Sequence, residues 1–111
     1  MNSMLANNGK FLIYASTKPS PERMRIVGSA VAKVADSLEL DTERSARRKL
    51  LSIYVYYKSQ LGDEIPVYCD WGKRWNEEDV SRAIRNMMFV LSFHPSHKGL
   101  RSIRGDVCAS A

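Results

Sequence analysis

The sequence predicts a mainly α, three-helix domain with room for a small two-stranded β element at residues 11–15 and 65–71. Three observations predict it. Two segments open with helix-capping residues and continue with apolar side chains at helical spacing,. A third, residues 41–61, lies between an Asp placed to cap a helix and a Gly placed to end one,. Strand character is confined to two short runs.

Residues 1–9 carry no periodic apolar pattern and read as a flexible lead. Phe11-Leu12-Ile13-Tyr14-Ala15 is a short apolar run between Gly9 and Thr17-Lys18-Pro19. Its length and its aromatic and β-branched content predict a strand buried on both faces. Ser20-Pro21-Glu22 is a helix start: a capping hydroxyl, a proline preset for the first turn, and a carboxylate at the positive end of the helix dipole,. Met24, Val27, Val31, Val34, Ala35 and Leu38 then share one face, which predicts a helix over residues 21–38.

The second helix is expected over residues 41–61, with Ala46, Leu50, Ile53, Tyr54, Tyr57 and Leu61 as its apolar stripe and Gly62 as its left-handed stop,. Ile65, Val67, Cys69 and Trp71 alternate with Pro66, Tyr68 and Asp70, a period of two,. Pro66 cannot donate to a ladder, so a strand there is an edge strand or begins at that point. Asn76-Glu77-Glu78-Asp79 opens the third helix. Val80, Ala83, Ile84, Met87, Met88 and Leu91 give it an apolar face, and Pro95 stops it by about residue 93,. Residues 10–95 therefore form a single compact domain, and residues 96–111 a flexible basic tail with Lys98, Arg101 and Arg104 against Asp106.

A chain of 111 residues, 44% hydrophobic and 26% charged, has room for one core and none for a large α/β enzyme fold,. No stretch approaches the ~20 apolar residues that cross a bilayer, so no membrane partner is expected,. No secretory leader is evident, and Cys69 and Cys108 stand alone, which suits two free thiols in the cytoplasm,. The net charge of +5 is uneven: residues 41–61 carry +3, residues 62–79 carry −4, and residues 80–111 carry +4. An excess of cations favours an anionic partner over a cationic one.

Several groupings bear on function. Ala35, Leu38 and Leu40 before a capped basic helix resemble a helix-turn-helix, in which Arg44, Arg47 and Arg48 would meet phosphates or bases,. The turn is one residue too long for the usual spacing. On the same helix Leu51 and Val55 fall among the cations, opposite the core stripe. That is either a helix buried on two sides or an interface with an apolar centre and a charged rim. On the third helix Arg82, Arg85 and Phe89 share the outer face, with Phe93 one turn further on. Arg beside an aromatic serves protein hot spots and single-stranded nucleic acid alike.

Chemistry is expected from none of the remaining residues. Cys69 would need a base from His94 or His97, and a zinc site would have one close pair of ligands, His94 and His97, with Cys69 and Cys108 distant,. No glycine-rich phosphate loop, nucleophile elbow or zinc-protease motif occurs,. The sequence points to a non-catalytic module without cofactor, metal or small-molecule substrate. Its partner is a protein or a second copy of itself, bound through the outer faces of the second and third helices. A DNA- or RNA-binding regulator using the basic second helix is the alternative.

Overall fold

The computed structural model describes residues 9–16, 20–46, 52–70 and 75–93. Its elements are β1 (Lys10–Ala15), α1 (Pro21–Leu38), β2 (Asp41–Ala46), β3 (Ile53–Lys58), β4 (Glu64–Asp70) and α2 (Glu77–Leu91). The strands form one mixed sheet in the order β2-β1-β3-β4. β2 runs parallel to β1, and the β1–β3 and β3–β4 pairs are antiparallel. The fold is α+β. A three-helix, mainly helical domain is therefore incorrect, and so is a two-stranded element of residues 11–15 and 65–71: their described residues lie in β1 and β4, which β3 separates in a four-stranded sheet.

The error lies in residues 41–61. Ile53-Tyr54-Val55-Tyr56-Tyr57 is β-branched and aromatic, and in β3 its exposure alternates residue by residue. Such side chains suit a pleated surface better than a helix. Ile53, Val55 and Tyr57 face the core, so the real period is two. Gly62 does adopt a left-handed backbone (φ 97°), but in the β3–β4 hairpin. There Ser59 receives Gly62 N–H on its carbonyl (3.0 Å) and donates its own N–H to Asp63 O (2.9 Å).

Both helices follow their caps. The Ser20 hydroxyl accepts Arg23 N–H at 3.4 Å, with Pro21 in the first turn. Asn76 and Asp79 form a reciprocal capping box: Asp79 N–H donates to Asn76 Oδ1 (2.8 Å), and Asn76 N–H to Asp79 Oδ2 (3.4 Å),. α1 ends where Glu39 turns left-handed (φ 57°). Leu40 N–H then bonds Ala35 O (2.8 Å) and Glu39 N–H bonds Asp36 O (3.3 Å), a Schellman pairing,. The buried Leu40 packs into the core at this turn and directs the chain back alongside β1 as β2.

The core lies between the sheet and the two helices. Phe11 and Ile13 of β1, Val27, Val31 and Val34 of α1, and Ile84 and Met88 of α2 meet Val55 and Tyr57 of β3. Phe11 and Tyr57 contact edge to face, with ring centres 6.3 Å apart. β1 is buried on both faces, because Leu12 and Tyr14 are also shielded on the side without helices. β4 is the edge strand that Pro66 implies, with a break in register beside it. Among the described residues no helix is long and apolar enough to cross a membrane.

Candidate interaction surface

α2 presents Val80, Ile84 and Met88 to the core. At 100° per residue its opposite face carries Arg82, Asn86, Val90 and, just past the helix, Phe93. Val90 is 62% exposed and Phe93 57% exposed. Phe89 is half-buried and meets Phe93 edge to face, ring centres 5.1 Å apart at 89°. Met87 flanks them at 37%. Nearer the start of the helix, Trp75, Asp79, Arg82, Ala83 and Asn86 line an open cleft of about 360 Å³. Of the five exposed large apolar side chains among the described residues, four lie on or beside α2, and the fifth is Leu61 in the hairpin. The face is apolar at its C-terminal end and charged at its N-terminal end, where Asp79 and Arg82 form a solvent-exposed pair at 3.7 Å.

The expected site residues divide three ways. Arg82, Arg85 and Phe89 do stand on one helix, with Arg82 exposed and Arg85 and Phe89 half-buried. Val55 does not belong with them: it is fully buried in the core, because in a strand it points with Ile53 and Tyr57. Arg44 is exposed on β2, so there is no recognition helix for it to occupy. Arg47, Arg48 and Leu51 lie outside the described residues, as do His94, His97 and Cys108, the lead and the tail. Phe93 stands one turn beyond Phe89, where the sequence spacing puts it, whereas Val90, Met87 and Trp75 are additions to the predicted surface. Val90 had a signal in the sequence, because it falls within one arc of the helical wheel with Arg82, Phe89 and Phe93.

The face of the sheet away from the helices is different in kind. Lys10, Leu12, Tyr14, Glu43, Ser45, Lys58 and Glu64 line a polar cleft of about 160 Å³ there. Lys10 Nζ meets Glu43 Oε1 at 2.6 Å, and the Tyr14 hydroxyl donates to Glu64 Oε1 at 2.9 Å. The hydrogen bond and charge of Glu43 raise the Lys10 ammonium, and those of Lys10 lower the Glu43 carboxyl. Tyr14 and Tyr56 rings meet at 5.4 Å, but Tyr14 is buried. A base-stacking platform needs open rings among cations. Here the central ring is covered and carboxylates border it. Cys69 stands half-buried opposite Tyr54 in the β3–β4 ladder, and among the described residues no three His, Cys, Asp or Glu are grouped to hold a metal ion.

The buried titratable cluster is on the helix side. Asp70 receives Arg23 Nε on Oδ2 (2.9 Å), Arg23 Nη2 on Oδ1 (2.6 Å) and the Tyr68 hydroxyl on Oδ1 (2.6 Å). Arg23 Nη1 also donates to the Trp75 carbonyl (2.8 Å), and the Tyr68 and Trp75 rings lie 6.2 Å apart. Burial alone would raise the Asp70 carboxyl, but Arg23 and the Tyr68 hydroxyl hold it below the usual carboxylate range,. Burial and the Asp70 hydrogen bond push the Tyr68 hydroxyl well up. This cluster joins α1, β4 and the start of α2.

Comparison with known protein families and with curated proteins found nothing that matches this chain.

Proposed function

We propose that the chain is a non-catalytic interaction module that pairs with a second copy of itself through the outer face of α2. The concentration of exposed apolar side chains on this one helix carries the reading. Isolated apolar residues on a surface need no explanation, but a contiguous patch with a charged margin has the anatomy of an interface. Charge favours a second copy here. α2 carries three carboxylates against two arginines, so two such helices meet without the repulsion that a net +5 imposes elsewhere,. The buried carboxylate of Asp70 is engaged inside the fold, which supports a binding role over catalysis. A cytoplasmic setting belongs to the same proposal and is supported by the sparse cysteine content of the sequence, two residues 39 positions apart with no C-x-x-C pair,.

The test is molecular mass by light scattering over a concentration series, for the wild type and for a Val90→Asp, Phe93→Asp double variant. Wild-type dimers and a folded monomeric variant are expected. A wild type that is monomeric up to millimolar concentration sinks the reading.

A polyanionic partner is the second reading, favoured by the net charge of +5 of the chain,. Its signature is binding to duplex or single-stranded nucleic acid that falls steeply with salt. Binding that is insensitive to salt removes it.

A further inference from the structure

β2 is an edge of the sheet, and all six of its residues are exposed. β1 pairs with it on one side, and among the described residues no strand pairs on the other. An edge in this state offers a row of unmade backbone N–H and C=O groups. The opposite edge, β4, is less suited to pairing, because Pro66 removes a donor and the register shifts between Val55 and Tyr56,.

The side chains of β2 decide what can add to it. Glu43 and Ser45 face the open side of the sheet, where they line the cleft with Lys10 and Leu12. Arg44 points the other way, over α1. Its guanidinium lies against Gly28: a Cβ on that glycine would come 2.5 Å from Nη2. No carboxylate among the described residues pairs with Arg44, whereas Glu43 is already paired with Lys10.

A second copy fits poorly. In an antiparallel pair, opposed residues point to the same side of the sheet. A two-fold axis normal to the sheet must therefore pass through one residue of the strand. Centred on Thr42 it sets Asp41 against Glu43; centred on Asp41, Glu43 or Arg44 it sets that residue against itself; centred on Ser45 it sets Arg44 against Ala46. The first four registers oppose like charges, which is unfavourable, and none of the five brings opposite charges together among the described residues.

From these observations we infer that β2 takes up, by strand addition, an extended segment of another protein with a carboxylate opposite Arg44 and a cation opposite Glu43. Main-chain hydrogen bonds supply the binding and the alternating charges supply the choice. The inference is independent of the proposed pairing through α2, which leaves β2 uncovered.

The probe is the capped hexapeptide Val-Thr-Glu-Lys-Val-Lys, which in antiparallel register sets Glu against Arg44 and Lys against Glu43 and Asp41. The control, Val-Thr-Lys-Glu-Val-Glu, exchanges the charges. Amide NMR shifts of the full chain at millimolar peptide should be confined to β2 and its β1 neighbours, with the control at least tenfold weaker. Arg44→Glu should lose the preference for the probe while helical content is unchanged. Gly28→Ala, which unseats the guanidinium, should weaken the probe several-fold. Equal shifts with both peptides, no β2 shifts with either, or a wild-type dimer that protects β2 amides would each overturn the inference.

Discussion

Arg23, in the first turn of α1, grips Asp70, the last residue of β4, through two parallel hydrogen bonds of 2.9 and 2.6 Å. The Asp70 side chain is almost wholly buried and that of Arg23 largely so. A fork of this kind is stronger than a single neutral hydrogen bond and fixes geometry as well. It ties the start of α1 to the far edge of the sheet, and Arg23 reaches on to the Trp75 carbonyl just before α2.

Asp70→Asn keeps the shape and removes the charge, leaving Arg23 and the Tyr68 hydroxyl poorly matched. A loss of about 2–4 kcal/mol is expected, in the range for breaking one partner of a buried pair. The sign with pH follows from the lowered carboxyl. Its contribution is complete above the unfolded value near 3.9 and is lost as pH falls through the lower folded value. Urea unfolding at pH 6 and at pH 2–3 measures it: the gap between wild type and variant should be wide at the first and narrow at the second. A gap of constant size would show that the carboxylate charge is not what matters.

At the end of α1, Glu39 holds a left-handed backbone, where a side chain costs roughly 1–2 kcal/mol and glycine almost nothing,. Glu39→Gly should stabilise the protein by about 1 kcal/mol after glycine's greater unfolded-state freedom is deducted. That is a rise of about 4–8 °C in Tm for a domain of this size. An unchanged or lower Tm would mean that Glu39 makes a compensating interaction.

What the sequence reveals of this fold is what neighbouring residues settle among themselves. Phe11 to Ala15 is a strand by composition, and Ser20-Pro21 and Asn76 to Asp79 start helices through hydrogen bonds three residues long. The reading fails where partners are distant. Asp41–Ala46 has no period of its own, and it is a strand because Leu40 anchors the turn that lays it against β1. Ile53, Tyr54 and Tyr57 satisfy a helical stripe by coincidence, and the choice of β-branched and aromatic residues was the better signal. Arg23 and Asp70 are 47 positions apart, and nothing local couples them. The α2 surface was half legible, because a helix wheel places Arg82 and Phe89 without knowing which neighbours other elements cover.

Ser81 is buried on α2, and its hydroxyl has no hydrogen-bond partner among the described residues. An unmade hydrogen bond of this kind costs about 1–3 kcal/mol, and alanine is also the better helix former. Ser81→Ala should therefore raise stability by about 1 kcal/mol. Thermal unfolding checks it, and a fall in Tm would show that the hydroxyl is satisfied in solution.

Gly28 sits in the middle of α1, where glycine costs about 0.5–1 kcal/mol relative to alanine. What stands in the way of a side chain there is the Arg44 guanidinium, 2.5 Å from the place of a Cβ. The obstacle is the far end of a flexible side chain on an exposed strand, so it can swing aside at little cost, and the helix should keep most of the gain. Gly28→Ala is expected to raise the midpoint of urea unfolding with an unchanged slope. Gly28→Val separates the two effects, since a branched side chain displaces Arg44 further and has a lower helix propensity than alanine. It should be less stable than Gly28→Ala. If alanine also destabilises, the Arg44 side chain is held on α1 more firmly than its contacts indicate.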